Sequence, residues 1–262
     1  MSLTIHAKER LASPPAAVLL DLDGTLYPYG PAHAAGLDAS ALAASDMLGL
    51  EAPDFRARYA RARAEIQAAL GGTASSHSRL LYFQRLVEGL GRGPAPGASL
   101  ALEKAYWSRY LAAARLFPGS KEFLDDLCRA GIPSALVTDL TAATQLRKLV
   151  ALGLEQSFQA IVTSEEAGRD KPHPAIFALA MEKLRPPPGP VWMIGDDPRA
   201  DIEGAAHALG AVTFQRLDPG ITPSPKADVL FDDFAEPRAL LASLAPDWSM
   251  GAVGSAVRFV EE

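Results

Sequence analysis

The sequence predicts a doubly wound α/β domain, built on a mostly parallel sheet, with an α-helical subdomain inserted after the first strand. Six short apolar runs, the helical patterns between them and one long strand-free stretch predict it. The runs are "AAVLLDLD" (16–23), "PSALVTD" (133–139), "QAIVTS" (159–164), "PVWMIGDD" (190–197), "GAVTFQ" (210–215) and "ADVLF" (227–231). Most lack polar alternation, which is how a strand covered on both faces reads.

The first run ends in two carboxylates, Asp21 and Asp23, and then Gly24. No strand pattern follows from about Pro28 to Leu116. Phe55, Tyr59, Ala62, Ile66 and Ala69 repeat there at helical spacing. So do Leu80, Phe83, Leu86 or Val87, and Leu90, and again Leu102, Tyr106, Tyr110 and Ala114. Residues 28–115 are therefore expected to form an inserted helical subdomain, the alternative being extra helices packed on the sheet, with 1–27 and 116–262 forming the α/β core. Beyond it, "PGSKEFLDDLCRAG" reads as a helix with a capping serine and a glycine stop. "TAATQLRKLVALGL" places Leu146, Leu149, Val150 and Leu152 on one face. "HPAIFALAMEKL" carries Pro174 in its first turn, where the missing N–H does no harm. "PRADIEGAAHALG" ends at another glycine. The tail "APDWSMGAVGSAVRFVEE" fits a strand, a helix or an ordered arm equally well.

A chain of 262 residues with 48% hydrophobic content holds a large core without staples. Its formal net charge of −6 argues against a nucleic-acid polymer as partner. The single cysteine, Cys128, cannot form an internal disulfide and is expected to be a small core residue. No apolar run reaches the ~20 residues a membrane span needs. The first residues, "MSLTIHAKERLASPP", lack the apolar stretch of a secretory signal. The expectation is a cytoplasmic protein with no membrane partner and an open oligomeric state.

Residues two apart in a strand point the same way, so Asp21 and Asp23 are expected to face together. Two such carboxylates repel, and a divalent cation relieves the conflict; hard oxygen ligands suit Mg²⁺. Gly24 allows a sharp turn that leaves backbone N–H groups free for a ligand. Other polar residues fall at or beyond the ends of later strands: Thr138, Lys171 in "GRDKPHPAIF", then Asp196 and Asp197 with Asp201 one turn on. Doubly wound sheets bind ligands at those carboxyl ends.

The motifs "DLDGT", "LVTD", "DKPHP" and "IGDDPRAD", in that order, resemble the four signatures of the haloacid dehalogenase superfamily. The resemblance spans about residues 16 to 234 and implies a Rossmann-like core; the insert resembles the small helical cap of one branch. It implies that Asp21 is a nucleophile that takes a phosphoryl group. It implies Mg²⁺ on the Asp21 side chain, the Asp23 backbone carbonyl and the Asp196 side chain, with Asp197 or Asp201 ligating through water or orienting the others. Asp23 would serve as general acid and then general base, while Thr138 and Lys171 bind phosphoryl oxygens, beside Gly24 and Asp139. Asp139 stands where the family often has asparagine, and a carboxylate there is unfavourable unless it points away or meets a cation.

Carbon–halogen hydrolysis would leave Asp23 without a task, and a Schiff-base phosphonatase would need a cap lysine, for which only Lys104 is available. The expected function is a Mg²⁺-dependent phosphatase for a small phosphorylated metabolite. A phosphomutase, a nucleoside monophosphate nucleotidase and a non-catalytic phosphate-binding module are the alternatives. A base-stacking aromatic among Tyr29, Phe55, Tyr59, Tyr82 and Phe83 would favour the nucleotidase. Cap residues His33, Arg58, Arg61, His77 and Arg79 are candidates for contact with substrate.

Overall fold

A computed structural model describes residues 3–91 and 93–244. The C-terminal segment "APDWSMGAVGSAVRFVEE" lies outside the described residues. The chain begins with a two-residue strand, β1 (Thr4–Ile5), and enters the core through β2 (Ala17–Leu20). Four helices follow: α1 (Tyr29–Leu48), α2 (Ala52–Leu70), α3 (Arg79–Glu88) and α4 (Pro96–Ala113). The core then resumes with α5 (Ser120–Arg129), β3 (Ser134–Thr138), α6 (Ala142–Leu152), β4 (Ala160–Thr163), the short α7 (Ser164–Ala167) and α8 (Pro174–Leu184). It continues through β5 (Val191–Gly195), a π-helical turn (Pro198–Glu203), α9 (Gly204–Leu209), β6 (Val212–Arg216), β7 (Val229–Phe231) and α10 (Ala235–Leu244).

The seven strands form one sheet in the order β1-β7-β6-β5-β2-β3-β4, parallel throughout except for β1 against β7. Counted from β2, the parallel strands follow the 3-2-1-4-5-6 order of a doubly wound fold. The order reverses at β2, between β5 and β3. That crevice is where such folds take ligands.

Strand alternation explains the two cores. Val18, Leu20, Trp192 and Ile194 face a cluster that also holds Phe123 and Leu127 of α5, Leu149 of α6 and Leu241 of α10. Leu19, Val137 and Met193 face the other, with Ile176 and Phe177 of α8 and Ala205 of α9. Both faces are covered, so the strands carry no polar alternation.

In the cap, α1 packs on α4 through small residues one turn apart: Ala32, Gly36, Ser40 and Ala44. A Cβ at Gly36 would lie 2.9 Å from the Tyr106 ring, so glycine permits this approach. Ser40 Oγ lies 3.1 Å from both the Gly36 and Leu102 carbonyls, and its one proton serves either, which satisfies the buried hydroxyl.

Several local expectations are corrected. The first strand stops at Leu20, short of both carboxylates. Helix α5 is led by Gly119 at positive φ, and Ser120 donates to the Phe117 carbonyl instead of capping. Cys128 is exposed; Leu124 and Leu127 take the inward positions around it. Ala69 is exposed at the end of α2. On α6, Leu146 and Val150 face solvent, at 47% and 58% exposure, while Gln145 and Lys148 are buried. That reversal matters for the site.

Candidate active site

Parallel pairing of Leu20 with Ile194 brings the ends of β2 and β5 side by side. The Asp21 N–H donates to the Ile194 carbonyl at 2.9 Å, extending the ladder by one bond. Asp21 and Asp196 therefore leave adjacent strands at the switch point. Asp201 comes from the π-helical turn after β5; one oxygen from each of Asp21, Asp196 and Asp201 lies within 4.8 Å of the others. Hard carboxylate oxygens at this spacing suit a divalent cation.

Lys171 sits among them. Its Nζ donates to Asp21 Oδ1 at 2.6 Å, to Asp201 Oδ1 at 2.7 Å and to the Val137 carbonyl at 3.0 Å, which uses all three ammonium protons. Thr25 Oγ1 lies 3.0 Å from Asp21 Oδ2 and 3.1 Å from Asp196 Oδ1, and its one proton serves either. One ammonium does not neutralise three carboxylates. Burial and the neighbouring Asp21 raise the Asp196 pKa to about 7, against the pull of Lys171. Burial drives Asp201 well above the usual carboxylate range despite Lys171, with Asp21 and Asp196 adding to it. Burial disfavours the Lys171 cation, but Asp201, Asp21 and Asp139 outweigh it and raise its pKa. The cluster is short of positive charge.

Asp23 has different surroundings. It lines the same cavity as Asp21, yet its carboxylate accepts from Lys148 Nζ at 2.7 and 2.6 Å and from Gln145 Nε2 at 3.1 Å. Tyr27 donates to Asp23 Oδ1 as well, and Tyr110 does so at 3.2 Å. Burial alone would raise its pKa; Lys148, with the Tyr27 and Gln145 bonds, overcomes this and holds it at about 2. Lys148 lies under the Trp107 and Tyr110 rings of α4, so this ion pair sits on the seam between core and cap.

The remaining sequence candidates divide. Thr138 Oγ1 accepts from Gln145 at 2.5 Å and stands beside the cavity. Asp139 Oδ1 accepts from the Lys171 backbone N–H at 2.9 Å, and burial, opposed by Lys171, raises its pKa to about 6. That bond answers the asparagine question: the carboxylate has a backbone donor. Asp197 caps the π-helical turn through the Arg199 and Ala200 N–H groups, so its Oδ1 is occupied outside the carboxylate cluster. Arg58 pairs with Asp54 and Arg61 with Glu65 on the outer surface of α2. His33 bonds Tyr106 within the cap. Tyr29, His77, Arg79 and Tyr82 line the cavity, as Arg63 does; Phe55 and Phe83 stack in the cap interior.

Sequence reasoning missed Thr25, Tyr27, Tyr110, Gln145 and Lys148. A lysine and a glutamine three positions apart on α6, just beyond the Thr138 strand end, were the available signal.

Gly24 turns the chain just after Asp23 at φ +86°, and a Cβ there would run into the Asp196 carboxylate. Gly24→Ala is therefore expected to destabilise the fold by about 1–3 kcal/mol and to displace Asp196. Denaturant midpoints and divalent-metal titration of the variant check this.

A switch-point carboxylate cluster with a buried lysine, beneath a helical cap, defines a hydrolase core of the phosphoryl-processing type. The chain belongs to the haloacid dehalogenase-like hydrolase family, whose model matches residues 15–208. It is 44% identical over 199 residues to the ribulose-1,5-bisphosphate 5-phosphatase of Halopiger xanaduensis, covering 75% of this chain and 82% of that one. It is 33% identical to the glyceraldehyde 3-phosphate phosphatase of Methanopyrus kandleri, over 86% of this chain and 95% of that one. The crystal structure of a phosphatase of this family from Thermococcus onnurineus superposes with a TM-score of 0.67 at 24% identity, covering 86% of this chain and 97% of that one. The chain is a hydrolase that acts on phosphate esters. No described helix is long and apolar enough to cross a membrane.

Proposed function

We propose that the protein is a Mg²⁺-dependent phosphatase that removes a phosphoryl group from a small phosphorylated metabolite through an Asp21 aspartyl-phosphate, with 28–115 as cap and 1–27 and 116–262 as core. One observation carries the reading: Asp21, Asp196 and Asp201 converge around Lys171 in a cavity of about 330 Å³ roofed by the cap. Relatives that act on ribulose bisphosphate and glyceraldehyde 3-phosphate support the substrate class.

Burial and like-charged neighbours raise the pKa of Asp196 and Asp201, a penalty that a cation would relieve, and all-oxygen donors fit Mg²⁺. Asp21 and Asp196 would hold the ion, with Asp201 beside them and the Asp23 backbone carbonyl completing the set. When bound, it neutralises the anionic nucleophile and phosphoryl oxygens that would otherwise repel.

Asp21 attacks phosphorus in line, and the ester oxygen leaves. Lys171 must exchange one of its present acceptors for a phosphoryl oxygen, and Thr138 donates its hydroxyl to another. Asp23 protonates the leaving oxygen and later takes a proton from the water that splits the aspartyl-phosphate. With Lys148, Gln145 and two tyrosines as donors it is ionised, ready for the second task. The first requires that it take a proton as these contacts loosen. Cap movement along the Trp107–Lys148 seam would loosen them.

Release of phosphate from an aryl phosphate tests the reading: turnover should depend on Mg²⁺ and stop with chelator. A folded, metal-loaded sample inert across a panel of sugar phosphates would refute it. A second expectation follows from Asp196. Its folded pKa is raised from 3.8 to about 7, so the metal-free protein is penalised as pH rises through that interval and most above 7. Mg²⁺ should therefore raise the melting temperature more at pH 8 than at pH 5.5, as protons compete for the same oxygens. Thermal melts at both pH values, with Mg²⁺ or chelator, measure it.

A further inference from the structure

The core side of the cavity is explained by phosphoryl transfer. The cap side is not. Arg79 is 8% exposed, and it lines the cavity from the first position of α3. A cation at a helix N-terminus faces the positive end of the helix dipole. Among the described residues no carboxylate reaches Arg79 within ion-pair distance. Its hydrogen-bond partners are all neutral: the His77 carbonyl at 2.7 Å, the Tyr29 hydroxyl at 2.6 Å and the Tyr106 hydroxyl at 3.4 Å. The rings of Tyr29, Tyr82, Tyr106 and Trp107 lie 5.6–5.9 Å from the guanidinium carbon.

Those rings offset part of the cost of a buried cation, but they do not replace an anion. A guanidinium carries five N–H donors, and three are used. One N–H on each terminal nitrogen remains to donate to an anion. Arg63, exposed on α2, lines the same cavity and adds a second positive charge. The two arginines, with burial, keep the neighbouring His33 neutral; burial is the largest cause, and the His33 pKa falls to about 4.

We propose that Arg79 and Arg63 form a second anion subsite in the cap, so that the preferred substrate carries an anionic group at the end away from the transferred phosphoryl. The proposal rests on the phosphatase reading for its first phosphate. A cavity of about 330 Å³ holds a short-chain metabolite with charges at both ends, the first on the core cluster and the second on the cap arginines.

Three probes test it: ribulose 1,5-bisphosphate, 3-phosphoglycerate and ribulose 5-phosphate, which bear a second phosphate, a carboxylate and no second anion. The kcat/KM for one or both of the doubly anionic probes should exceed that for ribulose 5-phosphate by about tenfold or more, and which one does so identifies the anion. Arg79→Gln should collapse that ratio toward one. Arg63→Gln, at an exposed position, should lower it too and keeps the test sound if the buried variant fails to fold. Equal kcat/KM for all three probes, or an equal loss for all three in both variants, would overturn the subsite. Calorimetric titration of the same probes into the Asp21→Asn variant separates the two readings. A binding preference for the double anions with no turnover by the parent protein would sink the phosphatase and keep the subsite. Turnover without preference would do the reverse.

Discussion

Asp21→Asn lowers phosphate-ester turnover by about 10⁴-fold or more, with KM little changed. An amide oxygen is a poor nucleophile, and removing a nucleophile costs more than removing a group that orients it. The fold should survive. Asp21 is one of the like charges that raise Asp196, so the neutral amide relieves repulsion while Lys171 retains Asp201. Steady-state assay with circular dichroism checks both halves. Turnover within tenfold of the parent would rule out Asp21 as the attacking group.

Lys171→Met is expected to cost both activity and stability. The ammonium is 3% exposed and bonds Asp21 and Asp201, themselves 8% and 1% exposed. Its removal strands two buried carboxylates, and breaking a buried pair in this way costs about 3–5 kcal/mol. The sign with pH follows. Lys171 is what opposes the raised pKa of buried Asp201, so without it that pKa rises further and the loss is greatest where Asp201 must be charged, at neutral pH and above. It shrinks as acid protonates Asp201. Mg²⁺ should restore part of the stability, since a cation in the cluster takes over the missing charge. Urea unfolding at pH 5 and pH 8, with and without Mg²⁺, measures each component. Equal stability of variant and parent at pH 8 would contradict the ion-pair account.

The catalytic core was legible because its grammar is short and local. Apolar runs with a carboxylate at the end, at 18–23 and 191–197, name both the strands and the direction of the site. What escaped was set by tertiary context. Leu146, Leu149 and Val150 look like the inward stripe of α6, but only Leu149 packs into the core; the helix turns Gln145 and Lys148 toward Asp23 because part of its inner surface borders a polar cavity. Helix α1 carries no strong apolar periodicity, since α4 demands small residues and Ala32, Gly36 and Ser40 supply them. Strand β1 is two residues long and exists only through its pairing with β7. Arg79 was named among several cap candidates. Burial without an acidic partner among the described residues singles it out, and that is invisible without coordinates.

The backbone bond from the Phe117 N–H to the Leu26 carbonyl, 2.9 Å long, ties together the points where the chain leaves the sheet and where it returns. An excursion with adjoining ends is topologically inert: the strands beneath it register identically whatever its length. Closure entropy rises only slowly as such a loop grows. The strand register beneath is thereby insulated from changes in cap length, and a lineage can lengthen or shorten the excursion freely except along α4, where Tyr110 and Trp107 meet Asp23 and Lys148.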